Sequence, residues 1–220
     1  MSDVIVTVTF IGFFLAAFSA LITIMNPFST ASIFLTITKK ETLADRRAIA
    51  RKACLSAALV LLTFALAGNL ILFFFGITVD AFRIAGGILI TKVGFGMLKS
   101  MNDGNVDIVP QAATKKEDVS LIPLAIPMLS GPGAMTAAIV LMGETGGITG
   151  GNIILVGALI LAIITASTIS YFVLRESISL QKFIGPNEQM VIDKILGLIV
   201  LVMGIQFIIN GLVGVMKMVV

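Results

Sequence analysis

Two stretches of this 220-residue sequence place proline beside small and hydroxyl-bearing residues, inside long apolar runs. The first reads MNPFSTASIF from Met25, and the second reads SGPGAMTAAI from Ser130. Proline suits the first turn of a helix, where its missing N–H is not needed, and asparagine, serine or glycine suits the residue before it. Each stretch therefore predicts that a helix begins at its proline, at Pro27 and at Pro132.

Two such helix starts could bind a small zwitterion. A helix N-terminus offers free N–H groups and about half a positive charge, so it can hold a carboxylate without a buried cation. Unwound carbonyls nearby can accept hydrogen bonds from an ammonium group. The alternative is that these small residues serve only close helix packing. The predicted substrate-binding residues are Asn26, Pro27, Ser29, Thr30, Ser130, Gly131, Pro132, Gly133 and Thr136.

The residue types argue against an enzyme. The chain has no histidine, which removes histidine general-base catalysis and histidine metal ligation, and Cys54 is its only cysteine. Three carboxylates, those of Asp80, Glu144 and Asp193, lie near the ends of the predicted membrane spans, so none is expected deep inside a span. We therefore predict no catalytic residues, no metal site and no cofactor.

The elements that position these residues are predicted to be transmembrane helices. The chain is 58% hydrophobic and only 12% charged, with a mean hydropathy of +1.10. Several apolar runs exceed the ~20 residues that a helix needs to cross a bilayer. The sequence predicts an all-α membrane protein with a single domain over residues 1–220. The six predicted spans are residues 4–38, 53–76, 84–101, 121–142, 152–174 and 195–216.

The distribution of basic residues predicts the orientation in the membrane. Eleven of the 15 Lys and Arg residues fall in the first, third and fifth connections between spans, and a twelfth, Lys99, lies at the edge of the third connection. Basic connections stay in the cytoplasm, so both termini are predicted to lie on the outer side. The most basic connection, KKETLADRRAIARK from Lys39, is interpreted as a topological anchor, with an anionic-lipid patch as the alternative.

The two halves of the chain resemble each other weakly, which predicts an internal repeat. Pro27 aligns with Pro132, and RIAGGILI from Arg83 aligns with KILGLIVL from Lys194, which pairs Gly86 with Gly197. Repeat one is predicted to cover residues 1–101 and repeat two residues 121–220, joined by a cytoplasmic connection over residues 102–120. Three spans in each repeat would insert the two copies in opposite directions, as in many secondary transporters.

The first apolar run is too long for one uninterrupted crossing. Residues 4–38 would form a helix of ~52 Å, against a hydrocarbon core of ~30 Å. A break at Asn26-Pro27 is therefore expected to face protein or a wet cavity. The run is either one crossing helix broken in mid-membrane or a full span followed by a half-helix. On either interpretation, broken or half-helices begin at Pro27 and Pro132.

Three further polar residues lie within the predicted spans. Lys92 is interpreted as snorkelling to the membrane surface or as lining a cavity. Gln206 and Asn210 are four residues apart and share a helix face, which we expect to point inward. All three are predicted as possible cavity-lining residues.

Several of these stretches resemble the MarC family of bacterial and archaeal inner-membrane proteins, also described as a neutral amino acid transporter family. The resemblance is carried by NPFSTASIFLTIT from Asn26, RIAGGILI from Arg83 and IPLAIPMLSGPGAMTAAIVL from Ile122, and it extends over nearly the whole chain. It implies a six-helix, multi-pass inner-membrane transporter for small neutral amino acids such as glycine or alanine. Members commonly carry glycine where this chain has Ser29. The larger serine side chain narrows the space near the first half-helix.

The leading hypothesis is a secondary transporter of small neutral amino acids that works by alternating access. The predicted partners are the amino acid, membrane lipid and a coupling ion, either proton or sodium, and the chain is a candidate homo-oligomer. No nucleic-acid partner is expected. The alternatives are a membrane scaffold or regulatory protein with no transported solute, or an exporter of another small solute.

Overall fold

The computed structural model describes residues 2–99, 129–147, 152–179 and 185–219, and these residues are helical with no strand among them. Seven helices follow one another within these described ranges. They are α1 (Ser2–Met25), α2 (Pro27–Ile37), α3 (Leu43–Phe74), α4 (Val79–Lys99), α5 (Pro132–Glu144), α6 (Ile153–Arg175) and α7 (Pro186–Val219).

Five apolar stretches in the described part of the chain are long enough to cross a membrane. They are Val8–Ile37, Leu43–Phe74, Val79–Leu98, Ile153–Arg175 and Met190–Lys217. The first includes both α1 and α2. The expectation of six spans is therefore met only in part, because residues 121–128 of the predicted fourth span lie outside the described residues. The described remainder, α5, has 13 residues and a rise of ~20 Å.

Helix α3 begins well before the predicted second span, and α7 begins well before the predicted sixth span. The structure starts α3 at Leu43 instead of residue 53, and the Thr42 hydroxyl both accepts from Asp45 N and donates to the Asp45 carboxylate. A cap of this kind satisfies a free amide at the helix start. The second span was predicted to begin only after the last charged residue of the basic connection. A helix can continue through charged residues once it has left the bilayer, so the basic connection is largely helical.

The C-terminal end of α2, which is predicted to face the cytoplasm, is held to the start of α3 by the side chain of Arg46. Arg46 Nε donates to Thr38 O at 2.9 Å, and Arg46 Nη2 donates to Lys39 O at 3.1 Å. The guanidinium thereby binds backbone carbonyls that have no helical partner beyond the end of α2.

Glycines form the contact between α4 and α7. A Cβ at Gly87 would lie 2.6 Å from Gly204 O, and a Cβ at Gly94 would lie 2.5 Å from Leu201 N. A Cβ at Gly211 would likewise lie 2.8 Å from Asp80 O. Because higher numbers on α7 meet lower numbers on α4, the helices are antiparallel. We call this contact the glycine seam; backbone atoms of each helix lie close to glycines of the other.

The most enclosed helix is α5, which packs against α1, α3 and α4. Nine of its 13 residues are buried, including the run from Thr136 to Met142. The shorter α2 packs against α6 and α7, and α6 also contacts α1 and α3. The long helices expose many large apolar side chains, such as Leu59, Phe73 and Leu198, as expected for helices in contact with lipid.

Candidate functional site

The first break is made by a single left-handed residue. Asn26 has φ 40° and ψ 67°, a conformation that asparagine tolerates better than most side chains. Asn26 Oδ1 accepts from Ser29 N at 3.3 Å, and Asn26 O accepts from both the amide (3.2 Å) and the hydroxyl (3.1 Å) of Thr30. Pro27 occupies the first helical position. The Asn-Pro pair therefore ends α1 and starts α2 with its polar groups satisfied inside the fold.

An acidic residue that the sequence analysis left outside the site lies at this break. Ser29 Oγ donates to Asp193 Oδ1 at 2.7 Å, across 164 positions of the chain. The prediction placed Asp193 before the sixth span, but α7 begins at Pro186 and carries Asp193 about two turns into the helix. Pro186 and Glu188 are start signals that would have revealed the earlier helix start.

The second break has a different cap. Gly131 precedes α5 with φ −60° and ψ 170° and makes no side-chain hydrogen bond to the helix, and Pro132 is the first helical residue. The first turn closes when Met135 N donates to Gly131 O at 3.0 Å. The amides of Gly133 and Ala134 precede that bond, so the start of α5 has backbone donors that no side chain of its N-cap residue satisfies.

The two breaks lie next to each other. A Cβ at Gly133, in the first turn of α5, would lie 3.3 Å from Ile24 Cγ2 and 3.3 Å from Ile90 Cγ1. Ile24 belongs to the last turn of α1, two residues before Asn26. The start of α5 thus packs against the end of α1, where α2 begins.

Three further predicted site residues at the breaks are buried. Thr30 is 2% exposed, Ser130 is fully buried and Thr136 is 3% exposed. Thr136 Oγ1 donates to Pro132 O at 2.8 Å, and its methyl group packs against Gly86 of α4 so closely that a Cβ at Gly86 would overlap it. These three side chains are enclosed by packing, whereas Pro132 is exposed.

The three possible cavity-lining residues do not join the breaks. Lys92, Gln206 and Asn210 are all exposed on the outside of the chain. Gln206 Nε2 donates to Asn210 Oδ1 at 2.8 Å, so the shared helix face is present. The expectation that this face points inward is wrong for the single chain.

At the far end of α5, an ionic cluster ties the helix to the start of α4. Arg83 lies 3.4 Å from the Asp80 carboxylate and 3.2 Å from the Glu144 carboxylate. Burial raises the pKa of Glu144, and the Arg83 charge opposes that rise. These acids lie near helix ends, as predicted, and away from the breaks.

Comparison with known proteins identifies the family of this fold. The sequence matches the MarC family of integral membrane proteins over residues 11–216. The chain belongs to the MarC family. It is thus an integral membrane protein of a family found in bacteria and archaea.

Relatives extend along nearly the whole chain. A UPF0056 membrane protein of Methanocaldococcus jannaschii is 37% identical over 92% of this chain and 97% of its own length. A UPF0056 membrane protein of Aquifex aeolicus is 31% identical over 93% of this chain and 94% of its own. The Bacillus subtilis protein YvbG, also a UPF0056 membrane protein, is 32% identical over 92% and 95%. No solved structure matches the chain.

Proposed function

We propose that this MarC-family protein is a secondary transporter of small neutral amino acids, of the glycine and alanine class, that works by alternating access. The observation that carries the proposal is that the start of α5 packs against the last turn of α1, next to the point where α2 begins, so that the two proline-started helices begin close together. Irregular backbone at membrane depth is tolerated where it is enclosed by protein or lines a cavity, and such breaks in transporters hold substrate and ions.

The polarity of the proposed site differs from the one expected from sequence. Asp193 already places a carboxylate at the start of α2, so a second carboxylate there would be repelled. The substrate carboxylate is assigned to the amides of Gly133 and Ala134 at the start of α5. The ammonium group is assigned to Asp193 and to carbonyls of the break at Asn26. Gly133 and Ala134 offer little bulk, which suits a small side chain.

An inverted repeat is supported by the helix contacts. If α2 corresponds to α5, α3 to α6 and α4 to α7, the contact of α5 with α3 has its counterpart in α2 with α6. Likewise the contact of α5 with α4 has its counterpart in α2 with α7. All four contacts occur. Such pairs are expected when two copies of one unit pack about a pseudo-two-fold axis.

In the proposed repeat, the offset between paired residues is one residue smaller than in the sequence alignment. Gly86 faces Thr136 on α5, whereas Gly197, its partner in the alignment, faces Met97 on α4. Gly87 lies in the glycine seam, as Gly197 does. We therefore pair Gly87 with Gly197, which also pairs Gly94 with Gly204.

Asp193 is also our candidate for coupling to an ion. A carboxylate within a membrane-spanning helix is a usual proton relay or cation ligand. We propose that a proton or sodium ion is coupled through Asp193. The proposal assigns the chain no enzymatic activity and places it in a bacterial or archaeal cytoplasmic membrane.

Transport by purified protein in liposomes tests the proposal. We expect uptake of labelled glycine and alanine above that of protein-free liposomes. Unlabelled glycine should compete, whereas glycinamide, which lacks the carboxylate, and acetate, which lacks the ammonium group, should not. Labelled tryptophan is the size control. An absence of flux for both glycine and alanine, in either direction of the gradient, would contradict the proposal.

A second candidate function is a membrane scaffold without a transported solute. It is favoured by the tight contact of Thr136 with Gly86 and by the outward-facing Gln206–Asn210 pair, since polar side chains within a span bind neighbouring helices. This function predicts a stable homo-oligomer or partner complex that dissociates when both residues are changed to leucine, and no solute flux.

A further inference from the structure

A groove on the outside of the helix bundle lies away from the breaks. It has a volume of about 330 Å³ and runs between α3 and α6. One wall is formed by Arg51, Leu55 and Leu59, with Leu62 at its far end, and the other by Ile164, Ser167, Thr168 and Tyr171. Each set recurs at intervals of three or four residues, so each forms one helix face.

The groove is polar at one end and aliphatic at the other. The start of α6 is fastened near the end of α3, because Asn152 N donates to Thr145 O at 2.9 Å and a Cβ at Gly147 would lie 3.2 Å from Asn69 Nδ2. The helices are therefore antiparallel. Arg51 then lies level with Tyr171, and Leu62 lies at the opposite end, ~16 Å further along α3.

The polar end contains a charge and a hydroxyl that have no described partner. Arg51 is exposed and makes no ion pair or hydrogen bond with any residue in the described part of the chain. Ser167 is 5% exposed, and its Oγ has no hydrogen-bond partner among the residues that the structure describes. Neighbouring hydroxyls on α6 are satisfied: those of Thr165 and Thr168 donate to the carbonyl four residues earlier at 2.7 Å.

The position of Arg51 along α3 matches the membrane surface. Arg51 and Lys52 are the last charged residues before the apolar part of α3, and Arg47 lies one turn earlier. A cation at this level meets the phosphate groups of anionic lipids. The aliphatic end of the groove, around Leu59 and Leu62, has the chemistry to hold part of an acyl chain.

We propose that the groove between α3 and α6 is a binding site for an anionic membrane phospholipid. The phosphate group is held by Arg51 and a headgroup or ester oxygen by Ser167, while one acyl chain lies along Leu55, Leu59 and Leu62. An acyl chain alone would enter any apolar groove. The distinguishing claim is that the site selects the headgroup charge, and it stands independently of the transport proposal.

Native mass spectrometry of the full chain, titrated with two lipids of identical acyl chains, tests this site. We expect palmitoyl-oleoyl phosphatidylglycerol to bind about fivefold more tightly than the phosphatidylcholine, the preference that one interfacial cation provides. Arg51→Gln should bring the two affinities within about twofold of each other. Arg47→Gln removes the same charge one turn away, outside the groove, and should keep the preference.

Filling the groove provides a second, independent readout. Leu59→Trp should abolish tight binding of both lipids, whereas Leu66→Trp, on an exposed position of α3 outside the groove lining, should leave both affinities unchanged. Equal effects of Arg51→Gln and Arg47→Gln would overturn the proposal, since they indicate only diffuse attraction. So would equal binding of the two lipids by the wild type, or binding of oleate or a second protein copy in place of phosphatidylglycerol.

Discussion

At the scale of residues, the arrangement around Asn26 gives one carboxylate a defined place. Asp193 accepts a hydrogen bond from Ser29 across the contact between α7 and α2. Ser29 belongs to the first turn of α2, so the carboxyl group lies beside the start of that helix. Asp193 therefore links two helices and presents a carboxyl group at the break.

Replacing this carboxylate with an amide tests its role. Asp193→Asn keeps an oxygen that can accept from Ser29 but removes the charge, so we expect glycine uptake to fall by at least about tenfold with little change in thermal stability. A pH gradient or sodium gradient should no longer drive the residual uptake. Glu188→Gln, an exposed acid in the first turn of α7, is the charge-matched control. Unaltered uptake in Asp193→Asn would remove this residue from the site.

The residues of the breaks could be predicted from the sequence, but the place of Asp193 beside them could not. The positions of Pro27 and Pro132 followed from local helix-start chemistry, which acts over three or four residues. The partner of Ser29 is 164 positions away, and only tertiary packing brings it near. The pairing of Gly86 with Gly197 differs from the register that we propose, and for a related reason. Two glycine-rich apolar helices align almost equally well one residue apart, whereas packing distinguishes the registers.

At the scale of elements, the contact of α4 with α5 depends on a residue without a side chain. Gly86 receives the Thr136 methyl group where any larger residue would overlap it. We therefore expect Gly86→Ala to lower the free energy of unfolding by about 1–3 kcal/mol through overpacking. Unfolding of the purified protein in detergent micelles measures the change.

Gly96 provides the control for this substitution on the same helix. A Cβ at Gly96 would meet nothing within 4 Å, so Gly96→Ala should be neutral or slightly stabilising. Adding Thr136→Ala to Gly86→Ala removes the overlapping methyl group and should restore much of the lost stability. Similar stabilities for Gly86→Ala and Gly96→Ala would show that α4 and α5 do not pack as described.

Helix existence was predicted better than helix extent. The break after Met25 and the cores of the long helices agree with the apolar runs, because burial in lipid selects for continuous apolar sequence. The starts of α3 and α7 were placed too late, since capping by Thr42 and by Pro186 operates outside the bilayer. At 24 residues, α1 rises ~36 Å, which is enough to cross alone and favours a full span followed by the short helix α2.

At the scale of the whole molecule, the number of crossings determines where the termini lie. Six crossings place both termini on one side, and the excess of Lys and Arg in alternate connections predicts the outer side. Five crossings would place the termini on opposite sides.

Labelling of single cysteines distinguishes these arrangements. In a Cys54→Ala background, Ser2→Cys and Lys217→Cys should react with a membrane-impermeant maleimide in intact cells. Lys39→Cys, in the basic connection, should react only after permeabilisation. Labelling of Ser2→Cys and Lys217→Cys from opposite sides would refute six crossings and the inverted repeat with them.

The glycine seam has a consequence for how the protein can move. Backbone atoms of each helix lie close to glycines of the other, and side chains such as those of Thr91 and Ile84 pack against the same glycines. Separating the two helices would leave those close surfaces facing lipid without their packing partners. We therefore expect the pair to move as one unit. Opening of the breaks is then expected to come from movement of the other helices about this pair.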